Sequence, residues 1–246
     1  MMTESASTLL DKREVRIQRM FGEIAPWYDF LNHLLSLNID RHWRRKAVRL
    51  VPPLPADQGP ILDLCTGTGD LAFAYNTAAK GLVPIVGADF CAPMLDRARS
   101  KAATGQPITF VEADAQALPF ADDTFQIVSN AFGLRNVTDT ARGLAETTRV
   151  LRPGGRAAIL EFSKPRHWFF GRLYRWYFRY LLPLVGQLLS RNQESAYRYL
   201  PESVIRFPDY EDLANLMRDA GLANVTYHPL TLGIATLYVG EKPGAT

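Results

Sequence analysis

Two glycines and a set of regularly spaced acids are the residues of this chain best suited to chemistry. In the stretch ILDLCTGTGDLA, Ile61 to Ala72, a short apolar run meets Asp63, then a glycine turn, then an apparent helix start. Gly67 and Gly69 permit tight backbone geometry and a close approach by a ligand, and the following helix would aim free N–H groups at it. The spacing Gly67-x-Gly69-x-x-Ala72 also fits a dinucleotide fingerprint, so the turn alone leaves the ligand open.

The strands that follow narrow the choice. A second apolar run, Val83 to Gly87, leads to Asp89, a carboxylate able to accept hydrogen bonds from ribose hydroxyls of either NAD or S-adenosylmethionine. A third, Ile108 to Val111, leads into Glu112, Ala113, Asp114 and Ala115, and a fourth, Phe125 to Ser129, into Asn130. Asp63, Asp89 and Asp114 are therefore expected along one rim of a parallel sheet, where doubly wound folds bind ligands. Three acids suit a sulfonium that carries an ammonium group better than an anionic pyrophosphate. Helix capping is the competing role for each acid singly.

These residues need a scaffold, and the chain supplies one α/β domain over residues 1–246. A helical segment over about 13–50, with Trp27, Phe30, Leu31, Leu34 and Leu35 at helical spacing, ends near Pro52-Pro53-Leu54-Pro55. Residues 1–55 read as a helical lid and 60–163 as alternating strands and helices, hence a parallel sheet with right-handed crossovers. Residues 164–208 read as substrate- or membrane-facing helices. The 209–246 segment begins with a helix over 209–220 and ends in a hairpin, Val225 to Leu230 and Ala235 to Gly240, around Thr231-Leu232-Gly233. An antiparallel hairpin on the sheet edge separates a methyltransferase-like sheet from an ordinary dinucleotide domain.

With 246 residues and 47% apolar content the chain can bury a sizeable core. Its two cysteines, Cys65 and Cys91, cannot build a disulfide scaffold or a cysteine-rich zinc site; they read as small core residues of a reducing compartment. The start lacks the apolar stretch of a secretory signal, no run reaches the roughly 20 apolar residues of a spanning helix, and a net charge of +3 gives no footprint for nucleic acid. A cytoplasmic location is the expectation, and no metal site is expected.

Longer motifs carry a resemblance. Tyr28-Asp29-Phe30-Leu31-Asn32-His33-Leu34-Leu35-Ser36, continuing to Trp43, and Arg149-Val150-Leu151-Arg152-Pro153-Gly154-Gly155, continuing to Glu161-Phe162-Ser163, resemble the two signatures of the quinone-biosynthesis C-methyltransferases. Phe132-Gly133-Leu134-Arg135-Asn136-Val137 and Tyr199-Leu200-Pro201-Glu202-Ser203-Val204 extend the match to about residues 16–242. Asn38 and Asp40 stand where the family pattern has Gly and His.

The resemblance implies a class I S-adenosylmethionine-dependent methyltransferase, with a Rossmann-like sheet, acting on a prenylated quinol. Demethylmenaquinol is the first choice and a methoxy-polyprenyl benzoquinol the second. It implies a cofactor set of Asp63, Gly67, Thr68, Gly69, Asp89, Met94, Asp114, Ala115 and Asn130. Arg135, Asn136, Tyr28 and Asp29 are then the catalytic candidates. Arg135 would stabilise a phenolate or orient a water rather than act as a base, its pKa being too high, with Asn136 orienting the same water. Asp29 and His33 are more ordinary bases, although a lone histidine on an apolar helix is often simply packed.

Ser163 to Gln193 contains no acid, yet six basic residues stand among its aromatics. Arg172, Arg175 and Arg179 would share one helical face, as in a helix lying on an anionic membrane; a core-packed helix with snorkelling arginines is the alternative. Residues 166–190 are accordingly expected to make peripheral contact with the inner face of the plasma membrane, while exposed aromatics could equally serve a homodimer. Other functions compatible with the cofactor half are an NAD-dependent oxidoreductase, a non-catalytic cofactor-binding regulator and a methyltransferase of another small molecule.

Overall fold

A computed structural model describes residues 14–25, 28–166, 168, 171–172 and 194–244. The helical segment expected over 13–50 forms three helices: α1 (Glu14–Ile24), α2 (Tyr28–Leu35) and α3 (Ile39–Leu50). The break before α3 falls at Asn38, whose φ of 61° explains the departure from the family's glycine there, because asparagine tolerates the left-handed region. Asp40, the second departure, is buried in the first turn of α3 against Arg44, His33 and Ser36. Trp27 and the side chains of Leu31, Leu34 and Leu35 lie outside the described residues; Phe30 is exposed.

The remaining described elements are β1 (Ile61–Leu64), α4 (Asp70–Ala78), β2 (Ile85–Asp89), α5 (Ala92–Lys101), β3 (Ile108–Glu112), β4 (Phe125–Ala131), α6 (Thr140–Val150), β5 (Leu151–Phe162), α7 (Glu194–Arg206), α8 (Glu211–Asp219), β6 (Ala223–Leu230) and β7 (Ala235–Glu241). The strands form one seven-stranded sheet in the order β3-β2-β1-β4-β5-β7-β6. The first five are parallel, and β7 enters antiparallel between β5 and β6, as the hairpin pattern predicts.

Burial on both faces explains why the central strands are almost wholly apolar: Ile61, Leu62, Ile127 and Val128 are at most 1% exposed. One core cluster packs Leu62, Val128 and Ile159 with Leu144 of α6 and Leu213 of α8; another packs Ile61, Ile85 and Ile127 with Leu71 and Tyr75 of α4. Trp43 of α3 fastens the lid to the far end of the sheet, its Nε1 donating to Thr231 Oγ1 at 2.8 Å in the hairpin turn. Because β1 is flanked by β2 on one side and β4 on the other, the order of the strands reverses there. A crevice opens at their carboxyl ends.

Candidate active site

A cleft of about 670 Å³, measured to its open mouth, lies at this reversal point. Its walls come from the turns after β1 (Cys65, Gly67), β2 (Asp89, Phe90, Met94), β3 (Ala113 to Gln116) and β4 (Ala131 to Gly133, then Asn136 to Thr138). Phe21 of α1 and Tyr28 of α2 close it from the lid. Among the described residues the lining contains two carboxylates and no lysine or arginine.

Asp89 lines the cleft with its carboxylate held in place by backbone donors. Its Oδ2 accepts the Gly67 N–H at 2.8 Å and its Oδ1 accepts the Cys91 N–H at 2.9 Å. Among the described residues the carboxylate is thus oriented by main-chain donors. Burial pushes its pKa up to about 6 against those backbone donors. Asp114 stands at the next strand end, its Oδ1 accepting the Gln116 N–H at 2.9 Å, with the side chain only partly buried.

Asp63 departs from the expected rim. It is 1% exposed and turned inward, Oδ2 accepting from the Thr66 hydroxyl at 2.6 Å and the Ala72 N–H at 3.1 Å, Oδ1 from the Ser129 hydroxyl at 2.8 Å. It braces the glycine turn from behind instead of lining the cleft. Gly69, at φ 86°, is fixed by crowding: a Cβ there would come within 2.9 Å of the Phe73 ring. The Thr68 hydroxyl is spent on Asp29. Asn130 also turns inward, donating to Leu64 O at 3.0 Å and accepting the N–H groups of Gly133 and Leu134. Of the expected cofactor set, Gly67, Asp89, Met94, Asp114 and Ala115 line the cleft, and Asp63, Thr68, Gly69 and Asn130 hold its walls.

The catalytic candidates divide similarly. Tyr28 lies over Gly67, its ring 3.9 Å from where a Cβ on that glycine would stand, and burial raises its pKa, so it remains a phenol. Asn136 lines the cleft from the 3-10 turn Leu134–Asn136, with its Oδ1 accepting the Tyr199 hydroxyl at 3.1 Å. Arg135, expected above the reacting methyl, is instead seated in the wall. It is 6% exposed, its Nη1 donates to Glu161 Oε1 at 3.0 Å and to the Phe132 carbonyl, and its guanidinium lies 5.4 Å from the Phe162 ring. A guanidinium in so buried a place needs a carboxylate partner, and Glu161 at the end of β5 provides it.

Asp29 likewise faces away from the cleft, one oxygen on Thr68 and the other on Lys101 at 2.8 Å. His33 Nδ1 lies 2.9 Å from Asp40 Oδ2. His33, Asp40 and Asp70 could be drawn as a metal triad, but Arg44 and Lys101 already sit on these carboxylates as counter-charges. Cleft residues that the sequence reading passes over are chiefly aromatic or small: Phe21, Cys65, Phe90, Phe132 and Gln116. Cys65, two residues after Asp63 and two before Gly67, could have been placed by spacing alone; Phe21 and Phe90 could not.

Residues 9–242 match the model of the ubiE/COQ5 methyltransferase family. This chain belongs to that family. It is 52% identical over 225 residues to the demethylmenaquinone methyltransferase of Thermus thermophilus, which covers 91% of this chain and 100% of that one. It is 48% identical over 237 residues to a ubiquinone/menaquinone biosynthesis C-methyltransferase of Geobacter sulfurreducens, over 95% of this chain and 91% of the relative. Among solved structures, a SAM-dependent methyltransferase of Thermotoga maritima superposes with a TM-score of 0.65 at 21% identity, over 91% of this chain and 99% of that one. The fold is therefore that of the S-adenosylmethionine-dependent methyltransferases, and membership of the ubiE/COQ5 family displaces the oxidoreductase reading.

Proposed function

We propose that this protein methylates a ring carbon of a prenylated quinol, with demethylmenaquinol as substrate and menaquinol as product. The observation that carries the donor half is that the described residues lining the cleft include two carboxylates and no basic side chain, which suits a cationic ligand and penalises a pyrophosphate. The demethylmenaquinone methyltransferases of Thermus thermophilus and Deinococcus radiodurans, 52% and 46% identical to this chain, support the acceptor half. The Geobacter sulfurreducens relative, named for both quinone classes, favours a methoxy-polyprenyl benzoquinol as the second substrate.

S-adenosylmethionine, when bound, supplies an electrophilic methyl group on a sulfonium. Asp89 would accept from its ribose hydroxyls, and Asp114 would offer an acceptor to an amino group of the same molecule. Met94 and Ala115 would pack against it, and the open backbone at Gly67 would let it approach. The residues thus fit the group. For the acceptor, a carbon–carbon bond forms as the sulfur–carbon bond breaks, and the quinol loses one proton from the attacked carbon. A deprotonated ring hydroxyl makes that carbon nucleophilic, whereas an oxidised quinone is an electrophile. Tyr28, still a phenol, donates a hydrogen bond to a developing oxyanion, and Asn136 orients the ring oxygen or a water. Arg135 contributes from the wall, because its positive charge is felt at Tyr28 and favours negative charge in the cleft. Orientation of this kind can be worth effective molarities of about 10⁵–10⁸ M.

No helix among the described residues is long and apolar enough to cross a membrane. The substrate nonetheless resides in lipid, at about 0.8 kcal/mol for each methylene kept from water. We therefore place the protein on the inner membrane surface through residues 166–190, most of which lie outside the described residues; a homodimer through the same aromatics is the competing arrangement. Flotation with anionic liposomes should be lost on charge reversal at Arg172, Arg175 and Arg179, and unaffected flotation counts against the membrane reading. The function itself is tested by labelled S-adenosylmethionine and demethylmenaquinone in detergent, with and without chemical reduction. Label should enter the quinone only under reducing conditions. Cofactor binding without label in either quinone class would overturn the acceptor assignment.

A further inference from the structure

Lys101, the last residue of α5, ends among three groups from two separate parts of the chain. Its Nζ lies 2.8 Å from Asp29 Oδ2, 2.8 Å from Asp70 Oδ1 and 3.2 Å from Thr68 Oγ1. Asp29 is the second residue of the lid helix α2 and the neighbour of Tyr28. Thr68 belongs to the glycine turn, and Asp70 opens α4 immediately beyond it. An ammonium has three donors to give, and here each finds an acceptor. The remaining Asp29 oxygen takes the Thr68 hydroxyl, so lid and turn are joined twice.

Two other basic side chains near this seam make weaker connections across it. Arg44 and His33 come from the lid itself and are engaged mainly by Asp40, also in the lid, and they reach Asp70 only at 3.8 and 3.9 Å. Without Lys101, Asp29 would lose its cation and Asp70 would keep only the longer contacts to Arg44 at 3.8 Å and His33 at 3.9 Å, so the two carboxylates would face one another across the seam with less compensation.

We infer that Lys101 is a positioning residue for methyl transfer: it latches α2 to the glycine turn, holds Tyr28 over Gly67, and limits the rate at which donor and demethylated product exchange. The inference rests on the donor reading proposed above. Tyr28 closes the cleft directly over the turn, so a molecule seated against Gly67 and Asp89 leaves most readily when α2 lifts. The side chains of Lys101, Asp29 and Asp70 are 29%, 25% and 24% exposed, so water screens their attraction. A latch of that strength holds the lid without locking it, as a lid that opens at every turnover requires.

Stopped-flow dissociation of S-adenosylhomocysteine from the full chain tests this, with Lys101→Ala and Lys101→Arg compared with Asp96→Ala. Asp96 is a control on the same helix whose exposed carboxylate pairs with Arg99. Lys101→Ala should release the product about five- to tenfold faster, the upper figure corresponding to about 1.4 kcal/mol. Lys101→Arg should restore most of the wild-type rate and Asp96→Ala should leave it unchanged. Salt adds a readout that needs no substitution: wild-type release should accelerate between 50 mM and 500 mM sodium chloride, and Lys101→Ala release should not. Hydrogen exchange over 28–35 should rise in Lys101→Ala while that of β1 and β4 stays at the wild-type level, which separates lid release from misfolding. Equal release rates, with S-adenosylhomocysteine bound by both proteins, would overturn the latch alone. A wild type that binds neither S-adenosylmethionine nor S-adenosylhomocysteine would overturn the donor reading and the latch with it.

Discussion

The ends of β1 and β2 carry the same residue type in nearly the same place, and the structure uses them in opposite ways. Asp63 and Asp89 are both buried, and burial pushes both pKa values up to about 6. Asp63 spends its oxygens on two hydroxyls and one backbone N–H inside the protein, where the hydroxyl partners can reverse their donor and acceptor roles. Asp89 is held by backbone N–H groups that can only donate, and it lines the cleft. A carboxylate's function thus depends on whether its fixed partners leave capacity pointing outward.

A third acid at a strand end marks the upper limit of the comparison. Glu161, 1% exposed, is the ionic partner of buried Arg135. Glu161→Ala strands that charge and should cost about 3–5 kcal/mol of stability, read by urea denaturation. A loss below 1 kcal/mol would show that water reaches the guanidinium. At the cleft, Asp89→Asn puts an NH₂ against one of two backbone donors and should weaken S-adenosylmethionine binding by about 1.5–3 kcal/mol in calorimetry. An unchanged dissociation constant would remove Asp89 from the donor site.

Titration sharpens the contrast further. Ribose hydroxyls favour the ionised form of Asp89, so donor affinity should fall about tenfold on going from pH 7 to pH 5 as the carboxylate gains its proton near pH 6. Binding near pH 6 should release a proton, visible as a buffer-dependent enthalpy; an affinity flat across this range breaks the assignment. Folding stability runs the other way. Both acids hold a proton more tightly in the folded chain than in the unfolded one, so their contribution is full below about pH 4 and is lost as pH rises through about 6. Asp63→Asn removes one of those two terms. Its amide oxygen can accept from Thr66 and Ala72, and its NH₂ can donate to a reoriented Ser129 hydroxyl. The variant should therefore change stability at pH 7 by less than about 1 kcal/mol. If it instead abolished donor binding with the fold intact, Asp63 would belong to the cleft after all.

The glycine turn, the strand ends and the terminal hairpin were legible in the sequence because each rests on local chemistry: an apolar run, a residue tolerant of positive φ, an alternation of period two. Asp89, Gly67, Asp114, Tyr28 and Asn136 were legible as cleft-lining residues for the same reason, standing at or beside such ends. Arg135 and Asp29 stand in the expected neighbourhood but point away from the cleft. No local pattern says that Glu161, 26 residues on, will claim the arginine. Nor does one say that Lys101, 72 residues on, will claim Asp29. Asn38 was visible as a departure from the family pattern, but only its φ of 61° shows why the departure is tolerated.

By itself, the sequence determined a doubly wound sheet with an acid-lined crevice and membership of a methyltransferase family, because periodicity, turn chemistry and motif spacing act over a few residues at a time. The tertiary structure alone decided which acids face the cleft, where the arginine's charge is balanced and which cation stands between lid and core. Each of those depends on which partner a charged group meets across the fold, and a buried charge without a partner is too costly to leave to chance.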